Sequence, residues 1–213
     1  PRTHSGQWYQ LYGNVDKFEY NRMNKQTGQG AIFGQVEQAE DVIAYVSPAF
    51  GDGFRFIAAA LTINDTNDTN MDAIAYRVVY KKDALNAGAG QVIVSDRFMP
   101  TGETYTRTAA TVGYDFGAVT LGATYEMNDI ADNANFDSFA VVAEADVADK
   151  TTLTVGYANK SHDVETNDKT GMMAKIKYQA SKSTYMYLEG GQYAGEGDVE
   201  YVDNYLAGIS VSF

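Results

Sequence analysis

The sequence predicts an all-β chain: a transmembrane, antiparallel up-and-down β-barrel, with about 12 strands of the ~9–11 residues that a tilted membrane strand needs. Three observations predict it. Apolar and polar residues alternate at period two through one segment after another. The breaks between those segments are alternately short and long, the asymmetry of barrels with tight turns at one end and loops at the other. Finally, the chain carries 16 Tyr and 20 Gly but only 3 Pro, which suits long strands whose tyrosine rings lie at a lipid–water boundary. Mean hydropathy is -0.32, and no apolar run approaches the roughly 20 residues of a membrane helix.

Taken in order, residues 7–15 read as a first strand, and residues 15–30 as a long polar segment without a period. Residues 31–47 read as one long strand leading to the turn at 47–53, which is followed by a strand over 54–63 and a loop over 64–72. Ile74, Tyr76, Val78 and Tyr80 alternate with Ala75, Arg77, Val79 and Lys81, and a turn at 84–88 leads to a strand over 91–98. The second half is more regular. Thr106, Thr108, Ala110, Val112 and Tyr114 oppose Arg107, Ala109, Thr111, Gly113 and Asp115. Val119, Leu121, Ala123, Tyr125 and Met127 oppose Thr120, Gly122, Thr124 and Glu126. The same pattern recurs at 138–147, 152–157 and 172–179. Tight turns fall at 116–118, 148–150 and 181–183, and longer polar stretches at 128–135, 161–169 and 195–198. A soluble sandwich also alternates, but it rarely needs so many near-equal hairpins with Tyr or Phe ending the apolar faces.

The net charge of -12 argues against nucleic acid, whose phosphates require Lys and Arg. It is compatible with acidic loops or with a lumen favouring cations. With no cysteine, disulfides, thiolate metal sites and cysteine nucleophiles are excluded. His4 and His162 are far apart, so no metal site and no cofactor is expected. The acidic stretch 65–72 lacks the Gly and closing Glu of a calcium loop and reads as solvated. No Ser-His-Asp, carboxylate-pair or phosphate-loop constellation stands out, so no catalytic residue is assigned and the chain is expected not to be an enzyme. The opening Pro1-Arg2-Thr3-His4-Ser5 has neither Met nor a signal segment, the expectation being a processed or truncated chain.

A charge on the lipid face of a barrel strand costs a few kcal/mol at mid-bilayer. Alternation therefore turns Arg77, Lys81, Arg107, Asp115, Glu126, Glu144, Lys175 and Lys177 toward the lumen, as candidate pore-lining residues.

The last residues, Tyr205-Leu206-Ala207-Gly208-Ile209-Ser210-Val211-Ser212-Phe213, alternate throughout and stop on an aromatic residue. That ending resembles the C-terminal strand of Gram-negative outer-membrane proteins, and the resemblance makes Phe213 a signal for the barrel-assembly machinery. The run Tyr45-Val46-Ser47-Pro48-Ala49-Phe50-Gly51-Asp52-Gly53 is similar to the periplasmic turn after the constriction loop of the general porin family. The hairpin at 181–187 is similar to that family's as well, and the likeness spans residues 7–213.

The resemblance implies a single β-barrel domain over residues 1–213, part of a 16-stranded trimeric barrel, in the bacterial outer membrane. On that alignment residues 15–30 are the inward constriction loop, and about four strands lie ahead of it; a smaller closed barrel is the alternative. The candidate constriction residues are Asp16, Glu19, Gln35 and Glu37, through the resemblance alone. The chain departs from the family's pattern in lacking its Pro-Glu-Phe-Gly-Gly run, and in having Gly34-Gln35-Val36 where many members have Gly-Arg-Val. The implied function is a water-filled channel for passive diffusion of small hydrophilic solutes and ions. The implied partners are outer-membrane lipid and lipopolysaccharide, two further copies of the chain as a homotrimer, and the assembly machinery. The competing reading is a structural or receptor barrel that stabilises the envelope or is bound by phage or partners through its loops.

Overall fold

The computed structural model describes residues 3–4, 11–21, 32–34, 38–39, 42–61, 72–99, 102–164, 168–194 and 201–212. A two-stranded sheet pairs β1 (Thr3–His4) with β2 (Gln38–Ala39). The remaining strands are β3 (Val42–Val46), β4 (Phe54–Leu61), β5 (Ala73–Lys82), β6 (Leu85–Val94), β7 (Tyr105–Asp115) and β8 (Val119–Asp129). They are followed by β9 (Phe136–Ala148), β10 (Thr151–His162), β11 (Lys169–Gln179), β12 (Thr184–Ala194) and β13 (Tyr201–Val211). From β3 to β13 they form one 11-stranded sheet in strict sequence order, every pair antiparallel. A meander needs only local connections, so each strand pairs with the one just before it in the chain.

Register and turn chemistry agree. In the β7–β8 pair Thr111 faces Thr124 and Gly113 faces Gly122. The connecting turn has Gly117 at φ 92°, a conformation open chiefly to glycine, with its N–H donated to Asp115 Oδ1 at 2.7 Å. At the β3–β4 turn Gly53 has φ 133°, and its N–H is donated to the Phe50 carbonyl.

Burial along the strands is the reverse of a soluble protein's. On β8, Val119, Leu121, Tyr125 and Met127 are exposed, whereas Gly122, Thr124, Glu126 and Asn128 are buried. β7 buries Arg107, Ala109, Thr111 and Gly113 and exposes Val112 and Tyr114. β11 buries Lys169, Gly171, Met173 and Lys175 and exposes Met172, Ile176 and Tyr178. The polar parity is thus the covered, concave side, and the apolar parity faces outward. Strand twist curls a sheet of this many strands.

The N-terminal elements differ from the sequence expectation. Within the strand read at 7–15, residues 7–10 lie outside the described residues, and Leu11 to Val15 form a turn in which Val15 and Asp16 N–H both donate to the Tyr12 carbonyl. Leu11, Tyr12 and Val15 fall at i, i+1 and i+4, the spacing that gathers side chains on one side of a helical turn. The long strand read at 31–47 is broken as well. Ile32 and Phe33 leave the strand and are 0% and 2% exposed, because they pack on the inner wall. Only Val42–Val46 joins the large sheet, with Gln38–Ala39 in the small one.

The turn read at 84–88 is in fact 83–84, with Asp83 at φ 50°, and β6 runs from Leu85 to Val94, not over 91–98. Its glycines serve packing rather than turning. A Cβ at Gly88 would press on Leu11, and one at Gly90 on Arg77 and the Tyr76 carbonyl.

Candidate functional site: a segment held against the inner wall

Residues 11–21 lie on the concave face of the sheet. Hydrophobic burial holds them there. The inner parity carries small or unbranched apolar side chains, Ala109, Ala140, Val142, Ala158 and Met173, and against this band pack Leu11, Tyr12, Val15 and Phe18, joined by Ile32 and Phe33. Tyr12 and Phe33 meet edge-on with centroids 5.1 Å apart, a favoured aromatic geometry.

The backbone of the segment comes unusually close to the wall. A Cβ added at Gly122 would fall on the Asn14 carbonyl oxygen, and one at Gly113 on the Asn14 side-chain amide. With glycine at both positions, Asn14 Nδ2 donates to Thr111 Oγ1 at 3.0 Å, and Asn86 Nδ2 donates to Asn14 Oδ1 at 3.1 Å. Nearby, Thr124 Oγ1 donates to the Leu11 carbonyl at 3.1 Å.

Two wall carboxylates hold the segment at different points. Glu126, 0% exposed, accepts from the Tyr12 hydroxyl, the Gly34 N–H at 2.7 Å and Asn128 Nδ2 at 2.7 Å. Arg107 Nε lies 3.9 Å from it, and Arg107 Nη1 donates to the Gly34 carbonyl at 2.7 Å. Residues 12 and 34 are thus tied to one side chain. Burial above all, and then the Glu126 charge, push the Tyr12 hydroxyl well above its ordinary pKa, so it remains a donor.

Glu189, 3% exposed, holds the other point. It accepts the N–H groups of Glu19, Tyr20 and Asn21 at 2.7, 3.0 and 2.7 Å and Asn21 Nδ2 at 3.0 Å. Tyr193 hydroxyl donates to Asn21 Oδ1 at 3.0 Å. Beside it, Lys175 Nζ donates to the Lys17 carbonyl and to Glu19 Oε1 at 3.3 Å, and the Tyr185 hydroxyl reaches the same oxygen at 3.2 Å.

Of the candidate constriction residues, Asp16 is buried at 9% exposed, Glu19 is partly exposed between Lys175 and Tyr185, and Gln35 and Glu37 lie outside the described residues, as does Phe213. All the candidate pore-lining residues lie on the inner parity. Arg77, Arg107, Glu126 and Lys175 are buried there. Glu144 accepts from Thr154 Oγ1 at 3.1 Å, Lys177 has its ammonium 5.8 Å from the Tyr185 ring centroid, and Lys81 and Asp115 are exposed near the tight-turn end. The structure brings Arg107 together with Glu126, and Lys175 with Glu19; the other candidates are spread along the wall.

Sequence reasoning missed Glu189, Asn14, Asn21 and Asn128. Glu189 had a signal, being a carboxylate on the inward parity between Leu188 and Gly190. Among the described residues no group of three His, Cys, Asp or Glu side chains is placed to hold a metal ion.

The sequence matches the Gram-negative porin family over residues 4–198. The chain belongs to that family. No curated protein sequence matches it significantly. Among solved structures it is similar to OmpT, an outer-membrane protein of Vibrio cholerae, at 20% identity over 99% of this chain and 74% of that one, with TM-score 0.66. It is also similar to Salmonella typhi OmpF, solved in complex with daunomycin, at 16% identity over 98% and 72%, with TM-score 0.75. A trimer form of the Vibrio cholerae protein matches at 19% identity over 98% and 72%, with TM-score 0.58. At such identities the likeness carries the fold: the curved sheet is the wall of an outer-membrane porin barrel.

Proposed function

We propose that this porin forms a water-filled channel through which small hydrophilic solutes and ions diffuse passively, with the inner segment narrowing the passage as its constriction loop. One observation carries the reading, the reversed burial of the strands. Apolar side chains on the outside suit hydrocarbon, and polar side chains on the inside suit a wet lumen. A dry core of the opposite polarity would support a sandwich.

On this reading the protein does no covalent chemistry. Its selectivity follows from the width left beside residues 11–21, from the exposed charges Glu19, Lys81 and Asp115, and from the half-buried Lys177. We further propose a homotrimer in contact with lipid and lipopolysaccharide, delivered by the barrel-assembly machinery through its C-terminal strand.

Reconstitution of the intact protein into planar bilayers tests the channel. The expected result is stepwise current increments that are ohmic at low voltage, together with swelling of loaded vesicles in small sugars. A protein that inserts, shows a heat-modifiable band on gels and conducts no ions would support the structural or receptor reading instead.

A further inference from the structure

The tyrosines of the wall divide by parity. Tyr76, Tyr114, Tyr125, Tyr157 and Tyr178 are exposed on the outward side, where amphipathic rings suit a lipid–water boundary. On β12 the order is inverted. Met186 and Leu188 are outward, at 44% and 60% exposed, and Tyr185, Tyr187 and Tyr193 alternate with them on the inner side.

The inward tyrosines are not alike. Tyr105 donates to Asn128 Oδ1 at 2.6 Å, Tyr185 to Glu19 Oε1 at 3.2 Å and Tyr193 to Asn21 Oδ1 at 3.0 Å. The Tyr187 hydroxyl makes no hydrogen bond to any described residue. Its ring lies over Gly208, where a Cβ would fall 2.3 Å from Tyr187 Cζ and 2.5 Å from Cε1. Glycine at 208 thus provides the seat of the ring, a close approach that any side chain would block. With one side on the β13 backbone, the half-buried ring turns its other side to the lumen.

Polar groups sit at the same level. Across the sheet Asp146 faces Thr152, Thr152 faces Lys177, Lys177 faces Tyr187, and Tyr187 faces Gly208. Side chains paired in this way start ~4.5–5.5 Å apart, so an ammonium borders the Tyr187 ring. Lys177 Nζ also lies 5.8 Å from the Tyr185 ring centroid, within cation–π reach. Thr152 Oγ1 donates to Asp146 Oδ1 at 3.0 Å. The row offers an aromatic face, an ammonium donor and, beyond it, a hydroxyl and a carboxylate. The charges of Lys177 and Asp146 offset each other, so the row favours no ionic solute.

A pyranose with equatorial hydroxyls carries C–H groups on its two faces and hydroxyls around its edge. The faces suit an aromatic ring, and the edge suits donors and acceptors set beside it. We propose that Tyr187 and Lys177 form a stacking subsite for neutral pyranose sugars on the lumen wall, between the inner segment and the tight-turn end of the barrel. The inference names a solute class for the channel and rests on the diffusion-channel reading. One ring face and one lysine leave most of the sugar in water, so the subsite delays a passing sugar without trapping it.

The test is titration of the intact protein in planar bilayers with cellobiose, with sorbitol at matched viscosity as the open-chain control. Each variant is normalised to its own sugar-free conductance. Cellobiose is expected to lower the wild-type current saturably, and sorbitol only by its viscosity. Tyr187→Leu raises the half-blocking concentration roughly five-fold, the size of an aromatic contact, while Tyr187→Phe stays within about two-fold of wild type. Gly208→Ala shifts it in the same direction as Tyr187→Leu, by unseating the ring. Tyr178→Leu, on the outward side, leaves the titration at the wild-type value.

Equal effects of cellobiose and sorbitol, or equal half-blocking concentrations in wild type and Tyr187→Leu, would overturn the proposal. If Tyr187→Leu fails to fold, Gly208→Ala decides: an unshifted titration overturns it, and a shifted one supports it. A wild-type protein that never conducts overturns the channel reading instead. Saturation-transfer NMR of cellobiose with the same protein in micelles then decides the subsite. Transfer that Tyr187→Leu abolishes supports it, and absent or unchanged transfer overturns it.

Discussion

The two faces of β8 are one residue apart in sequence and opposite in chemistry. Outward, Leu121, Tyr125 and Met127 are 46%, 42% and 45% exposed, with Tyr125 hydroxyl donating to Asp137 at the strand's loop end. Inward, Thr124, Glu126 and Asn128 are 1%, 0% and 2% exposed, and each contributes a hydrogen bond to the inner network. The outer face needs only apolarity, because lipid makes no directional demands. The inner face must match named donors and acceptors. Substitutions should therefore fail on the outer face by changing polarity and on the inner face by changing geometry.

The largest effect is expected at Glu126. Glu126→Ala strips the partner from a buried Arg107 and from the Tyr12 hydroxyl and Gly34 N–H, and loss of one member of a buried pair costs about 3–5 kcal/mol. Urea unfolding followed by tryptophan fluorescence and gel mobility should show it, and a midpoint equal to wild type would place the loop neck elsewhere. Next comes Val141→Arg, at the residue that pairs with Ala123 on the outer face. An arginine at mid-bilayer costs about 2–4 kcal/mol, visible as a smaller folded fraction in lipid vesicles, whereas Val141→Leu should fold normally. Equal folding of both would break the assignment of this face to hydrocarbon. The smallest effect is expected for Gly88→Ala, where a methyl group meets the end of the Leu11 side chain. Overpacking of that kind costs about 1–3 kcal/mol and should lower stability while keeping the outer face intact, as read by unchanged insertion into vesicles.

Legibility followed the same division. From β7 to β9 the period-two pattern located both ends of each strand within two residues, and farther on it found β10, β11 and β13 with ends off by up to five residues, because a wall with lipid on one side and polar groups on the other must alternate. Between residues 7 and 47 the pattern failed. Leu11, Tyr12, Val15, Ile32 and Phe33 resemble strand residues in composition, yet they serve as packing groups of a segment laid over a finished wall. Gly88 and Gly90 misled in the same way. Gly88 leaves room for Leu11, 77 positions earlier in the chain, a relation that no local window contains, and Gly90 leaves room for Arg77, its cross-strand partner on β5. The inward parity of Arg77, Arg107, Glu126 and Lys175 was readable, but their partners were not: Arg107 meets Glu126 across the β7–β8 pair, and Lys175 meets residues 17 and 19 more than 150 positions away.

The sequence alone determined the class of the protein, the order and orientation of the strands, and which residues face inward, since alternation is a local consequence of backbone pleating and of two unlike solvents. Only the tertiary structure decided where residues 11–21 run and which carboxylates hold them, because Glu126 and Glu189 gain their roles from backbone N–H groups, which every residue carries and no sequence distinguishes.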